Sequence, residues 1–395
     1  MSERIFEYAI EAWWSGNAPL AFHYCQAARA RGLASPELYR LLGTIASELG
    51  QYDQAISYLA EASRLRRLAP SNGCPRYLVI QPWGCGFWGE IDHALGQLAI
   101  AEITGRRPLV FWGDDCIYAY PGLANAWEGY FLPVSNVTLA DVQEPGLTHF
   151  PRNWTASNIH LTSAGRNLPP KDRHSSLSAL DADEDVVVAD GHNRLLDILP
   201  WAPAGHWLAD LSAEAAYRQL ARKYLRLSVA LAKEVERLSA LVFRQRPVLA
   251  VHYRTQSPTK DAESTEGERL SIADYIPLID RFLQSNPSGS IFLLTDYAPA
   301  AQASLERYPN RVFTLNVRRL NREEDIEVTF QPYDRWVLAQ EVVLDAYIAA
   351  KCDAFLGDGA SGVSCSIGYL KDWPAGSYTL LRENVVLMPG RIQPF

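Results

Sequence analysis

The 395-residue sequence lacks the features that mark several common classes of protein. No run reaches the ~18 uninterrupted apolar residues that a membrane-spanning helix needs, and the first residues contain neither the basic nor the apolar stretch of a secretory signal. Basic side chains are not in excess, since the formal net charge is -8. Affinity for nucleic acid depends on such an excess of basic side chains. We therefore expect a cytoplasmic protein with no membrane span and no nucleic-acid partner.

Cysteine is sparse, and its spacing excludes two further kinds of site. The six cysteines are scattered and form no C-x-x-C pair, which favours reduced, buried thiols over disulfides or a zinc site. Hydrophobic residues at 48% and charged residues at 21% are typical of an ordinary globular chain, and the length favours two or three domains. No metal site is expected.

Residues 1–70 show an internal repeat. Gly16 and Gly50 lie 34 residues apart, which is the period of the tetratricopeptide repeat, and Leu42, Gly43 and Ala55 of the second copy fit its helix-turn-helix spacing. Two repeats bury little apolar surface by themselves, so we expect them to dock on the rest of the chain. They serve either as a stabilising cap or as a surface that recruits a protein partner or forms a homodimer.

Residues 75–243 begin with a βαβ pattern. An apolar strand at 76–80 leads into a turn with Gly84, Gly86 and Gly89, then a helix, then a second strand at 108–112. The three glycines match the G-x-G-x-x-G dinucleotide fingerprint, which raises the alternative of an NAD(P)-dependent oxidoreductase. Glu90 and Asp92 weigh against it, because they put negative charge at the helix N-terminus where a pyrophosphate would bind.

Residues 244–395 resume the α/β pattern, and polar groups follow its strands. His252 and Arg254 come at the end of the apolar strand that starts at Val248, and Asp296 ends a later strand. Ligands of open α/β sheets bind beyond the carboxyl ends of the strands. The planar fork of Arg254 suits a phosphate or carboxylate, and His252 offers a second donor.

A small-residue loop opens the last predicted helix. Its backbone N–H groups and hydroxyls form a ready anion site, and no lysine follows in the manner of a P-loop. The loop residues are Ser361, Gly362, Val363 and Ser364.

These motifs together resemble those of the GDP-fucose-dependent fucosyltransferases, which include the protein O-fucosyltransferases, the α-1,6-fucosyltransferases and the rhizobial nodulation enzymes. The resemblance covers roughly residues 76–370. The sequence departs from it at Thr255, where many members have a second basic residue. The matching residues are His252, Arg254, Thr295, Asp296, the loop Ser361 to Ser364, and an element with Gly89, Asp92, His93, Leu95 and Gly96.

The resemblance implies an α/β fold with a GT-B-like pair of Rossmann-like domains, preceded by the all-α tetratricopeptide-like region. The expected domains are 1–70, 75–243 and 244–395, the last one holding the nucleotide-sugar donor. The implied donor-binding residues are Gly86, His252, Arg254, Asp296, Ser361, Gly362, Val363 and Ser364. By the same resemblance, Asp296 accepts hydrogen bonds from two donors of a guanine edge.

The resemblance also implies roles at the acceptor side, where Glu90, Asp92 and His93 face the acceptor. An internal hydrogen-bonded pair that fixes the loop is an equally good account of Asp92 and His93. Glu90 is the first candidate for general base, because it is a carboxylate at a helix start beside Trp88. Stabilisation of the helix dipole is an equally good account of Glu90. Glu263 or Asp261, on the loop after Arg254, is the alternative base.

The resulting hypothesis is an inverting glycosyltransferase that moves fucose, or a related sugar, from GDP to a hydroxyl of a protein, peptide or glycan. Arg254 and the small-residue loop would neutralise the departing diphosphate, so that neither a metal nor another cofactor is required. The alternatives are the oxidoreductase and a non-catalytic module that binds a glycan or peptide. The acceptor itself is not readable from the sequence.

Overall fold

The computed structural model describes residues 2–67, 75–161, 179–180, 182–189, 194–254, 270–321 and 335–387. Within these ranges, every helix is too short or too polar to cross a membrane. The helices are α1 (Ser2–Trp14), α2 (Ala18–Ala30), α3 (Pro36–Glu48), α4 (Tyr52–Arg67), α5 (Phe87–Thr104), α6 (Trp127–Tyr130), α7 (Leu139–Val142), α8 (Leu195–Ile198), α9 (Ala213–Tyr224), α10 (Val229–Val242), α11 (Ile272–Ser285), α12 (Ala298–Arg307), α13 (Arg335–Ala350) and α14 (Gly362–Leu370), with a 3-10 turn at Leu199–Trp201. The strands are β1 (Tyr77–Ile80), β2 (Arg107–Val110), β3 (His149–Phe150), β4 (Val186–Ala189), β5 (Val248–Tyr253), β6 (Ser290–Thr295), β7 (Val312–Phe313), β8 (Ala354–Gly357) and β9 (Tyr378–Leu380).

The N-terminal segment consists of the helices α1 to α4, each packed on the next in sequence. Gly16 and Gly50 follow α1 and α3 with φ of 79° and 73°, a backbone conformation that favours glycine. A Cβ at Gly43 would lie 2.6 Å from a side chain of α4, so the paired helices approach closely there. The Arg40 guanidinium lies 5.6 Å from the Phe150 ring centroid and contacts the first sheet. The assignment to the tetratricopeptide class stays a prediction.

The first sheet is parallel, with the strand order β2-β1-β4-β3. All four residues of β1 are buried, because helices and loops cover both faces of the sheet. Leu78 and Ile80 face the largest apolar cluster, while Tyr77 and Val79 face a second one on the opposite side. This alternation is the period of two that a pleated strand imposes.

The second sheet is also parallel, with the order β7-β6-β5-β8-β9. Val248 and Ala250 of β5 face the largest cluster, whereas Leu249 and Val251 face a separate one. By the same alternation His252 lies on the face of Val248 and Ala250, which is the face turned toward the first half of the chain.

The largest apolar cluster joins the two halves. It contains Leu78 and Trp112 from the first and Val248 and Val343 from the second, and α5 contacts α14 across it. The predicted mixed α/β architecture with two parallel sheets is confirmed. This shared core contains residues from both sides of the predicted boundary at residue 243. The predicted domain boundaries stay a prediction.

Candidate functional site

A cavity of about 420 Å³ lies between the two halves, beyond the carboxyl ends of β5 and β6. Its volume is in the range of small-molecule sites, and its position is the one expected for ligands of parallel sheets. The residues that line it are Gly86, Phe87, Trp88, Gly89 and Tyr118 from the first half, His252, Arg254, Leu294, Thr295, Asp296, Val317, Arg318, Leu320, Gly362 and Val363 from the second, and Arg335, Leu338, Ala339, Glu341, Val342 and Asp345 from α13.

Arg254 and Asp296 emerge side by side at the ends of two paired strands. Tyr253 and Thr295 are partners in the register of β5 and β6, so the next residue of each strand reaches the same place. Nε of Arg254 lies 3.7 Å from Oδ2 of Asp296, and the two side chains are 45% and 39% exposed. Asp296 therefore orients a guanidinium that remains accessible to a ligand.

Two helix N-termini meet beside Arg254. Gly86 is the N-cap of α5 and Ser361 that of α14, and a Cβ at Gly362 would lie 3.9 Å from Cβ of Trp88. Ser361 is 6% exposed, and its buried hydroxyl has no hydrogen-bond partner within the described ranges. Helix N-termini and hydroxyl groups both favour an anion. Glu90 stands in the first turn of α5, whereas the first turn of α14 carries no acidic residue, so the start of α14 is the part of the cavity that suits a phosphate group.

The loop that precedes α14 is held rigidly. Burial by itself would raise the pKa of the Asp358 carboxyl. Hydrogen bonds from Arg382 and from the backbone of Ala360 outweigh it, so the pKa is lowered. Nε of Arg382 lies 2.8 Å from Oδ1 of Asp358. A Cβ at Gly359 would lie 2.1 Å from the Arg382 carbonyl oxygen, so the two segments touch through their backbones. The anion site is thus preorganised.

His252 and Ser364 contact each other, but only His252 lines the cavity. Nδ1 of His252 is 2.7 Å from Oγ of Ser364, and Ser364 is fully buried. Burial lowers the pKa of His252 to about 3, with a further contribution from Arg254, so the imidazole is neutral at ordinary pH. The Ser364 hydroxyl is thus held by His252, and direct binding of the donor by Ser364 stays a prediction.

Asp345 is a buried acid on the wall that α13 gives to the cavity, a wall that also carries the charged residues Arg335 and Glu341. It is 9% exposed, and its Oδ1 has no hydrogen-bond partner in the part of the chain that is described. Burial raises its pKa to about 7, against the opposing charge of Arg319 and with support from Glu341. Leu338 and Val342 precede Asp345 on the helix at a spacing that puts all three on one face. A buried carboxylate with a perturbed pKa in a cavity is a strong candidate for ligand recognition.

Glu90, the first predicted base, does not line the cavity, and its role in catalysis stays a prediction. It is fully buried, and its carboxylate accepts the backbone N–H groups of Trp83 at 2.6 Å, of Cys85 at 2.7 Å and of Gly84. These bonds hold the turn before α5 in shape. They also occupy donors of the glycine-rich turn that a dinucleotide pyrophosphate would need, which counts against the oxidoreductase.

Asp92 and His93 do not line the cavity either. Asp92 accepts a hydrogen bond from the Tyr217 hydroxyl, and burial raises its pKa to about 7. Nε2 of His93 lies 3.2 Å from the carbonyl oxygen of Gln81. Both side chains lie in the interior, because α5 is buried on every side over its first four turns. Neither is brought to the cavity, and their role in acceptor binding stays a prediction. The remaining predicted bases, Asp261 and Glu263, lie outside the described residues.

Several lining residues were missed by the sequence analysis. Tyr118 lies in an irregular segment, and its hydroxyl donates to the Cys85 carbonyl oxygen at 3.0 Å. Asp345 carries the clearer signal, because it is an acid in phase with the apolar residues of α13, four residues after Glu341. Arg318 and Arg335 reach the cavity from segments with no recognisable motif.

Glu90→Gln is expected to destabilise the protein by about 2–4 kcal/mol, since charge-assisted hydrogen bonds to buried backbone donors are weakened. Denaturant unfolding and melting temperature measure this loss. Glu128→Gln, on the surface of the same half, is the matched control and should change neither. A catalytic base would give the opposite pattern, in which stability is kept and turnover is lost.

Comparison with solved structures shows which fold this is. The chain is similar to the crystal structure of fucosyltransferase NodZ from Bradyrhizobium, at 19% sequence identity and a TM-score of 0.50, over 75% of this chain and 92% of the other. NodZ α-1,6-fucosyltransferase soaked with GDP-fucose aligns at 18% identity and a TM-score of 0.49, over 75% and 93%. POFUT1 in complex with GDP aligns at 13% identity and 0.47, over 78% and 97%.

The sequence itself matches no protein-family model and no curated protein. At these identities the structural likeness establishes the fold alone, and that conclusion rests on the first of the three structures.

Proposed function

We propose that this protein is an inverting glycosyltransferase that transfers fucose, or a related sugar, from a GDP-linked donor to a hydroxyl group. One observation carries the proposal: on a fold shared with a fucosyltransferase, a single cavity combines an accessible arginine, the N-terminus of α14 and a buried carboxylate. The first two suit a diphosphate, and the third suits a base edge.

Asp345 selects the nucleobase of the donor. Guanine presents a ring N–H and an amino group side by side, and an ionised carboxylate accepts from both. Uracil and adenine lack that pair of adjacent donors. The flat ring would lie among Leu320, Leu338 and Val342, which give the same end of the cavity apolar walls. The sequence resemblance assigned the base edge to Asp296, but Asp345 is the more buried of the two acids and Asp296 contacts Arg254.

Arg254 and the start of α14 bind the diphosphate. As the bond from the sugar to the diphosphate breaks, negative charge develops on the leaving oxygen. The Arg254 guanidinium, the N–H groups of Gly362 and Val363 and the Ser361 hydroxyl are the groups that would meet it. Such a set neutralises the leaving group without a metal ion, which is why we propose a metal-independent reaction.

The acceptor hydroxyl attacks the anomeric carbon from the side opposite the diphosphate, which inverts the configuration at that carbon. Asp261 and Glu263 remain the proposed bases for its proton. The acceptor class is a protein, peptide or glycan, and the helices α1 to α4 are proposed to recruit a protein partner or to form a homodimer.

A thermal-shift panel tests the donor. GDP should raise the melting temperature more than UDP, dTDP, ADP or NAD does, and equally with and without EDTA. Binding to the native state alone adds about 2.7 kcal/mol of stability at a ligand concentration 100 times Kd. A response to NAD alone would replace the proposal by the oxidoreductase. A lack of response to every nucleotide would favour the non-catalytic binding module.

A further inference from the structure

A chain of hydrogen bonds links the loop before α14 to the cavity. The backbone nitrogen of Asp358 lies 3.2 Å from Oγ of Ser364, and that oxygen lies 2.7 Å from Nδ1 of His252. Ser364 is fully buried and His252 is 6% exposed, so water does not compete for these bonds. The imidazole lines the cavity and is the end of the chain.

The direction of each bond follows from the number of hydrogens available. The Asp358 N–H can only donate, so the Ser364 oxygen accepts there. The Ser364 hydroxyl also has one hydrogen to donate. Among the described residues, Nδ1 of His252 is the other polar atom within hydrogen-bonding distance of Oγ, so it accepts this hydrogen. A bond in the opposite direction would bury that hydrogen without an acceptor, which is costly.

The protonation state of the ring completes the assignment. His252 is neutral because burial, together with the nearby Arg254, lowers its pKa to about 3, and the opposing charge of Asp358 does not compensate. A neutral imidazole that accepts at Nδ1 carries its hydrogen at Nε2.

We propose that Ser364 is a positioning residue that fixes His252 in the Nε2–H tautomer, so that the imidazole donates a hydrogen bond to an acceptor atom of the bound nucleotide. The nucleotide as ligand rests on the proposed function, whereas the tautomer does not. Ser361 and Ser364 stand three residues apart at the start of α14 but act differently. The Ser361 hydroxyl is buried without a hydrogen-bond partner among the described residues, whereas the Ser364 hydroxyl is bonded to His252.

The tautomer is measured first, in the ligand-free wild-type protein labelled with ¹⁵N-histidine, by long-range proton–nitrogen NMR at pH 7. The His252 signals are identified by their loss in His252→Gln. A protonated Nε2 and an unprotonated Nδ1 are expected. A protonated Nδ1, an imidazolium ion or an even mixture of tautomers would overturn the proposal, and this result needs no folded variant of Ser364.

Ser364→Ala then tests the consequence. The fixed tautomer should be lost, and GDP affinity measured by calorimetry should fall about tenfold, the equivalent of one buried hydrogen bond. Ser366→Ala is the matched control, since Ser366 is on the same helix, 1% exposed, and bonded to Tyr369. It should keep both the tautomer and the affinity.

Each outcome separates the two proposals. Unchanged tautomer and unchanged GDP affinity in Ser364→Ala would overturn the positioning role. A wild-type protein that shows the Nε2–H tautomer but binds no GDP would instead overturn the proposed function, and with it the nucleotide as the acceptor of this hydrogen bond.

Discussion

Arg254→Ala is expected to lower the rate of GDP release from GDP-fucose by about 10²- to 10³-fold, the loss typical when one preorganised donor at a developing charge is removed. The melting temperature should hardly change. Arg254 is 45% exposed, and its contact with Asp296 at 3.7 Å is a surface ion pair, which contributes about 0–1 kcal/mol to stability.

The shape of the side chain matters as well as its charge. A guanidinium presents several N–H donors in a plane and can bond two oxygens of a diphosphate at once, whereas lysine is a point charge. Arg254→Lys should therefore retain GDP binding better than Arg254→Ala but recover only part of the rate. GDP release is followed with GDP-fucose alone and with mixtures of peptide or glycan acceptors.

Arg307→Ala is the matched control. Arg307 is 47% exposed and pairs with Asp280 at 2.7 Å, on a helix that does not line the cavity. It should leave both GDP release and GDP binding unchanged. Near-normal turnover in Arg254→Ala would refute the proposed role of this arginine, and an equal loss in both variants would point to an indirect effect of charge.

The polar residues that follow the strands could be predicted from the sequence, because short local patterns of residues determine where a buried strand ends. A short apolar run marks a buried strand, and in parallel sheets the residues just after such strands gather at one edge. His252, Arg254 and Asp296 lie at one cavity for this reason. The small residues of the loop before α14 likewise predicted a helix N-terminus, which begins at Gly362.

The faces of α5 could not be predicted in the same way. A helix with one polar face reveals its orientation through its pattern, but α5 is buried almost all round and has no such face. The sequence therefore left open whether Glu90 and Asp92 face a cleft or the interior. Their bonds to the turn at residues 83–85 and to Tyr217 depend on contacts that the helical period does not encode.

Asp345 was missed because its role depends on a distant part of the chain. The sequence predicts α13 as an amphipathic helix, but the strands β5 and β6, some fifty or more residues earlier, determine which side of it forms the cavity wall. An acid in phase with Leu338 and Val342 is the one local sign, since an ionised group on an apolar face is costly unless it meets a ligand.

Asp345→Asn is expected to weaken GDP binding about 100-fold, because an amide offers one acceptor oxygen where the carboxylate accepts two charge-assisted bonds. The preference for GDP over UDP and ADP should shrink with it. Calorimetry or a competition assay with the three diphosphates measures both effects.

The same substitution should make the ligand-free protein more stable at neutral and higher pH. Burial raises the pKa of Asp345 from 3.8 to about 7, so the unfolded chain loses this proton at lower pH than the folded protein does. Stability attributable to this group therefore falls as pH rises from about 4 to 7 and is level above that. At about 1.4 kcal/mol per pKa unit, the ionised carboxylate costs the folded state up to ~4 kcal/mol, which asparagine removes.

In the wild-type protein the affinity for GDP should follow the opposite trend. The ionised form of Asp345 is the one that accepts both guanine donors, so affinity should fall by up to about tenfold for each pH unit below 7. Asp345→Asn should abolish this pH dependence.

Asp92→Asn separates recognition from burial. Asp92 also has a pKa raised to about 7 by burial, but it lies outside the cavity and is bonded to Tyr217. Its replacement should change stability in the same direction and by a similar amount, because the two carboxyls have the same raised pKa, and should leave GDP affinity and its pH dependence intact. Equal losses of GDP affinity in the two variants would mean that Asp345 affects binding indirectly, through the packing of the core. A loss confined to Asp345→Asn would place the guanine base at the Asp345 carboxylate.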